Sequence, residues 1–176
     1  MENKTVKDIG RRFYVRGPVE VKLLPYEEIA KLCTAPYPDH PHGCPNYASK
    51  VGCPGRLEDY FSDVFELEVK VVVLEFDFGD YLKMMKERQP GWSERQLRCP
   101  LYWQGHLRKE FMAITRNNIP WDYTNTLFTP EAYGVDVTAT CKEVGIELEW
   151  PPQEHSYMVA LFVKKNKVER EENYGE

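Results

Sequence analysis

The chain has 176 residues, 42% hydrophobic and 29% charged, with 23 Lys and Arg against 28 Asp and Glu for a formal charge of −5. That length suits one domain with a real core, and 8 Phe, 4 Trp and 11 Tyr exclude disorder over most of it. The acidic balance argues against a duplex nucleic-acid partner. The longest apolar run, Val71–Leu74, is far short of the ~20 residues that cross a bilayer.

The start, Met1-Glu2-Asn3-Lys4, lacks the hydrophobic stretch of a signal peptide, so a cytoplasmic protein is expected, with its first eleven residues loosely held. Val19–Leu23 alternates and predicts a short strand. Pro25 then opens a helix to about Leu32, with Glu27 and Glu28 where carboxylates suit the helix dipole. From Cys33 to Gly55, five prolines, three glycines and no helical period predict a long irregular loop, which in a compact domain is a mark of function or disorder.

Leu67–Phe78, with its uninterrupted Val71–Leu74, predicts a central strand covered on both faces. Asp80–Glu87 reads as a helix stopped by Gln89-Pro90-Gly91. Ser93 with Gln96 forms a capping-box signal for a short helix, which Pro100 ends. A further helix then starts with Pro100 as first residue, Cys99 as cap, and Trp103, Leu107, Phe111 and Ile114 as its buried stripe. Thr129-Pro130-Glu131 predicts one more helix start, with Gly145 at its C-terminal cap. Ile146–Trp150 and Tyr157–Val163 read as two strands joined through Pro151-Pro152. The expected fold is a single α/β or α+β domain over residues 1–165. It has a central mixed sheet flanked by helices, a long cysteine-bearing loop, and a charged tail from 166 to 176.

The chemistry concentrates in the loop. Of five cysteines, Cys33, Cys44 and Cys53 fall within 21 residues, spaced Cys-x10-Cys-x8-Cys, while Cys99 and Cys141 stand alone. An odd count without an export signal argues against a disulfide framework, and clustered reduced thiols suit metal or redox chemistry. Thiolates take zinc or iron–sulfur clusters. The tight Cys-x2–4-Cys hooks of zinc sites are absent, and a cluster tolerates wider spacing.

Cys44-Pro45-Asn46-Tyr47 followed by Cys53-Pro54 resembles the Cys-Pro-x-Tyr…Cys-Pro-Pro signature of the "predicted metal-binding protein" family of unknown function. Glu131-Ala132-Tyr133-Gly134-Val135-Asp136-Val137 resembles that family's Met-Glu-Ala-Tyr-Gly-Ile-Asp-Val segment. Two departures stand out. Gly55 replaces the second proline, and Cys99 alone stands where many members carry a further run of cysteines. The resemblance implies an iron–sulfur cluster, [4Fe–4S] in type, on Cys33, Cys44 and Cys53; the departures argue against a second cluster.

Cys99, as a helix cap facing unpaired amides, is the candidate fourth ligand; the alternative is a simply buried cysteine. Were Cys99 free, one iron would be open for sulfur transfer or Lewis-acid chemistry on a small anionic substrate. A fully ligated cluster would serve structure or a redox partner. Cys141 shares a helical face with Tyr133, Val137 and Val144 and reads as core. His40 and His42 flank Pro41 and could replace a thiolate, with Asp39 orienting one of them. The competing reading is a structural zinc module of Cys33, Cys44, Cys53 and one of these histidines. Around Cys99, Arg95, Arg98, Trp103 and Arg108 could form a pocket wall for a phosphate or carboxylate, or simply the solvated basic side of a helix. Gly105 in mid-helix costs ~1 kcal/mol and invites a close approach as its reason. No phosphate-binding glycine loop, nucleophile elbow or His-Glu-x-x-His motif is present.

Overall fold

The computed structural model describes residues 5–36, 41–45, 47–49, 53 and 68–164. His40, Asp39, Asn46, Pro54-Gly55 and the charged tail lie outside the described residues. The four strands are β1 (Arg11–Val19), β2 (Val69–Asp77), β3 (Tyr123–Leu127) and β4 (His155–Lys164). They form one sheet in the order β1-β2-β4-β3, and every pairing is antiparallel, where the sequence suggested a mixed sheet. The helices are α1 (Tyr26–Thr34), α2 (Phe78–Arg88), α3 (Glu94–Arg98), α4 (Gln104–Asn117) and α5 (Val137–Glu143). Among the described residues no helix is long and apolar enough to cross a membrane.

The Val71–Leu74 run sits where its composition demands. β2 lies between β1 and β4, and Val71, Val72, Val73 and Leu74 are all buried. Alternation divides its side chains between two covered faces. Val69, Val71 and Val73 meet Leu161 and Val163 of β4 together with Val135 and Cys141. Val72 and Leu74 meet Ala160 and Phe162, with Phe111 of α4. Phe76 continues that second face into an aromatic cluster with Phe78, Tyr81 and Trp103. Each buried aliphatic or aromatic side chain contributes roughly 1.5–3 kcal/mol, so this two-sided sheet dominates the stability.

Four elements differ from the sequence reading, each for a local reason. β1 occupies 11–19 rather than 19–23. Phe13 and Val15 pack on one face while Arg12, Tyr14 and Arg16 take the other, and an irregularity between Arg16 and Val19 ends regular pairing. Leu23, beyond it, makes only an isolated bridge with Val135. The Thr129-Pro130-Glu131 start gives a 3-10 turn over Pro130–Tyr133, because Gly134 at φ +88 stops it. A new helix, α5, then begins after Asp136, whose carboxylate accepts the Ala139 N–H. Residues 146–150 are not a strand. Ile146 and Leu148 pack on the core, and the Glu149 carboxylate accepts the N–H groups of Gln153, Glu154 and His155 at 3.0, 3.1 and 2.7 Å, folding the chain back on itself. Pro100 opens a 3-10 turn to Tyr102, after which α4 starts at Gln104.

Candidate thiol site and the cleft beside it

Cys33 lies in the last turn of α1, and the chain returns so that the Cys44 N–H donates to the Cys33 carbonyl at 2.7 Å. That return depends on Gly43. Its φ is +78, and a Cβ there would stand 2.5 Å from the Cys33 carbonyl oxygen and the Thr34 backbone, so only glycine fits both the left-handed backbone and the close approach. The Cys33 thiol is pushed above its ordinary range, first by burial and then by Cys44, Cys53 and Glu131. Each of these neighbours adds to the cost of ionising the Cys33 thiol beyond that of burial. The three cysteines are half-buried and form no disulfide. Among the described residues, no group of three or more His, Cys, Asp or Glu side chains is already arranged to hold a metal ion. The donor chemistry fits a thiolate-bound metal, which would displace the thiol protons on binding.

Glu131 ties the loop to the far end of the chain. The Leu23–Val135 bridge, the Leu24 N–H to the Gly134 carbonyl at 2.8 Å and the Asp136 N–H to the Lys22 carbonyl at 2.8 Å clamp the 131–137 segment against the entry to α1. Glu131 is thereby brought within electrostatic reach of Cys33. The Glu131 side chain keeps solvent access at the base of a cleft. Enclosure by protein nevertheless pushes its carboxyl above the ordinary carboxylate range, while Arg108 across the cleft acts the other way.

That cleft has a volume of about 640 Å³, within the range of ligand sites. Arg108, Phe111 and Met112 of α4 form one wall, Glu131 and Val137 another, and Tyr157 to Val159 of β4 the floor. Of the four residues that sequence pointed to as a pocket wall, Arg108 alone lines it. Trp103 is in the core, stacked on Phe76 at 5.9 Å. Arg98 donates to the Pro152 carbonyl at 2.9 Å and to Gln153 Oε1 at 3.0 Å, so it latches the 149–154 turn. Arg95 is an exposed residue of α3. Cys99 is half-buried at the start of the 3-10 turn, where it acts on the Tyr81 hydroxyl rather than on Cys33, and it makes no side-chain cap bond. Cys141 is fully buried, with its thiol pushed up to about 12 by desolvation, as its core reading implies. His42 is exposed.

A second polar cluster escaped the sequence reading. Glu75, buried on central strand β2, accepts from Arg12 and from the Tyr14 hydroxyl at 3.0 Å, and its Oε1 lies 3.4 Å from His155 Nε2. These groups border a smaller cavity of about 330 Å³ with Gly10 and Asp77. A single acid embedded in Val71–Phe76 was the available signal.

Comparison with family models, with curated proteins and with solved structures gives no significant match to this chain.

Proposed function

We propose that the protein is a cytosolic metal protein that holds an iron–sulfur cluster, [4Fe–4S] in type, through Cys33, Cys44 and Cys53. One observation carries the reading: Cys44 and Cys53, from the same 21-residue stretch, come within electrostatic reach of Cys33, beside Glu131 and a cleft of about 640 Å³. Gly43 and the Cys44–Cys33 backbone bond supply a built reason for that gathering. Cys99 belongs to a different neighbourhood, so the proposed protein ligand set is three thiolates. When bound, a cluster with three protein ligands supplies an exposed Lewis-acidic iron. Glu131 borders that corner, where a small anionic substrate would meet the open iron.

Anaerobic purification with iron, sulfide and zinc quantified per chain tests this. The expected result is a broad absorption near ~400 nm with about four irons and four sulfides. One zinc and no iron would overturn the cluster and leave the stapled-loop module of three cysteines and His40 or His42. No metal after reconstitution with iron and sulfide would overturn both.

A further inference from the structure

The floor of the cleft is an interrupted sheet edge. β3 has five residues and, among the described residues, pairs with the end of β4 alone, Leu127 opposite Leu161 and Tyr123 opposite Lys164. Beyond Leu127 the chain leaves the sheet, and among the described residues no strand pairs with Ser156 to Ala160 of β4 on that side. At ~3.4 Å per residue this open stretch is about 14 Å long.

The register fixes which backbone groups are exposed along it. The Lys164 N–H bonds to the Glu68 carbonyl, so even-numbered residues of β4 turn their N–H and C=O towards β2. The odd-numbered residues turn theirs the other way. Leu161 and Val163 lie opposite Leu127 and Asn125 of β3, but Tyr157 and Val159 direct theirs into the cleft. Among the described residues nothing pairs with those four groups. Unpaired backbone donors and acceptors in a partly apolar recess are costly, and an open edge of this kind is a template for another strand.

The walls select what such a strand would carry. Successive side chains of an added strand point to opposite faces. One face meets Phe111, Met112 and Phe128, and the other meets Val137 and Leu148. Of the three charged cleft residues, Glu149 is already committed to three backbone amides. Glu131 belongs to the thiol corner. Arg108 has no ion-pair partner among the described residues. It sits mid-row on α4, between Gln104 and the Phe111–Met112 pair, so a chain passing it continues in both directions. That placement fits a side-chain carboxylate rather than a chain terminus.

We propose that this cleft binds an extended peptide by strand addition to Tyr157 and Val159, with apolar side chains on both faces and one Asp or Glu side chain on Arg108. Strand addition of this kind draws affinity from the backbone ladder and specificity from alternate side chains. The proposal does not depend on the metal.

The probe is a pool of acetylated, amidated pentapeptides with Glu at the centre and apolar residues elsewhere, titrated into the full ¹⁵N-labelled chain. Saturable shifts of the Tyr157 and Val159 amides are expected below ~1 mM. Changing the central Glu to Gln, or Arg108→Glu in the protein, should weaken binding about tenfold, as loss of a charge-assisted bond does. N-methylation of the alternate peptide amides that face β4 should abolish binding. A Cys33→Ser/Cys44→Ser/Cys53→Ser variant should bind unchanged, which separates this proposal from the metal reading. Absence of saturable amide shifts at 1 mM overturns strand addition. So does binding that survives N-methylation. Indifference to both the Glu→Gln peptide and Arg108→Glu overturns the carboxylate preference, and equal shifts with hexanoate alone make the cleft a small-molecule site.

Discussion

The thiol corner and the Glu75 cluster are both gatherings of titratable side chains, and they are built on opposite logic. Around Glu75 the charges cancel. One carboxylate receives Arg12 and the Tyr14 hydroxyl and stands beside His155, across the rigid register of three strands. Around Cys33 every contribution runs one way, because burial first and then Cys44, Cys53 and Glu131 raise the cost of ionising its thiol. A cluster that satisfies itself closes the end of a sheet. A cluster whose members each disfavour the Cys33 thiolate, held by a turn that only Gly43 fits, would gain that thiolate from a metal that displaces the proton. The contrast gives the first a structural role and is consistent with the metal proposed for the second.

The largest expected effect breaks the comparison at its functional end. Cys33→Ser or Cys44→Ser should lower bound iron and sulfide more than tenfold while the fold melts within a few degrees of the parent. Cys99→Ser should keep the metal, since its neighbourhood is Tyr81 and Tyr102. Metal loss in Cys99→Ser would restore it as the fourth ligand and move the site. Gly43→Val attacks the same corner without touching a donor. A Cβ at φ +78 meets the Cys33 carbonyl and Thr34 backbone, so reduced metal content with all five thiols intact is expected, read by metal analysis and a thiol count after denaturation. In the folded, metal-free chain Cys141 should stay unreactive to a thiol reagent at pH 8, because burial holds its pKa at about 12.

Much of the frame was readable in the sequence, and the failures share a cause. The Val71–Leu74 run predicts a central strand because burial on both faces leaves no room for alternation, and Trp103, Leu107 and Phe111 predict the buried side of α4 by their spacing. β1 was missed because its outer face carries Arg12 and Arg16, which disguise the period of Phe13 and Val15. The pairing of thiols with Glu131 is a tertiary fact, set by the Leu23–Val135 bridge between segments over a hundred residues apart, and no local pattern encodes it. The sequence placed Trp103 in the buried stripe of a helix and also offered it as a ligand wall. Its place beneath β2 comes from Phe76 and Tyr81, which the sequence leaves distant.

At the structural end, Glu75→Ala should cost about 2–3 kcal/mol in denaturant unfolding, since Tyr14 and Arg12 lose a shared acceptor. Metal content should not change; if it falls, the two clusters are coupled and the contrast fails. Glu149→Ala should cost less, about 1–2 kcal/mol, through three backbone amides left to water. Those amides hold the Glu149 carboxyl below its ordinary value. Its stabilisation is therefore complete above the unfolded value near ~4.3 and lost as pH falls through the folded one. The parent should lose this increment on acidification, and Glu149→Ala should lose correspondingly less.

The smallest effect concerns Gly105, where the sequence left room for a ligand or a close-packed neighbour. The structure puts nothing within 4 Å of a Cβ built there, and the residue is exposed in the first turn of α4. Gly105→Ala should then raise stability by about 0.5–1 kcal/mol, by restricting the unfolded chain and improving helix propensity. The sign is the informative part. A gain, with metal content and peptide binding unchanged, leaves the chemistry of α4 to Arg108 and its row facing the cleft. A loss of either property would mean that the exposed start of α4 is covered by a ligand after all, and the wall first suggested by Arg95, Arg98, Trp103 and Arg108 would have to be rebuilt around it.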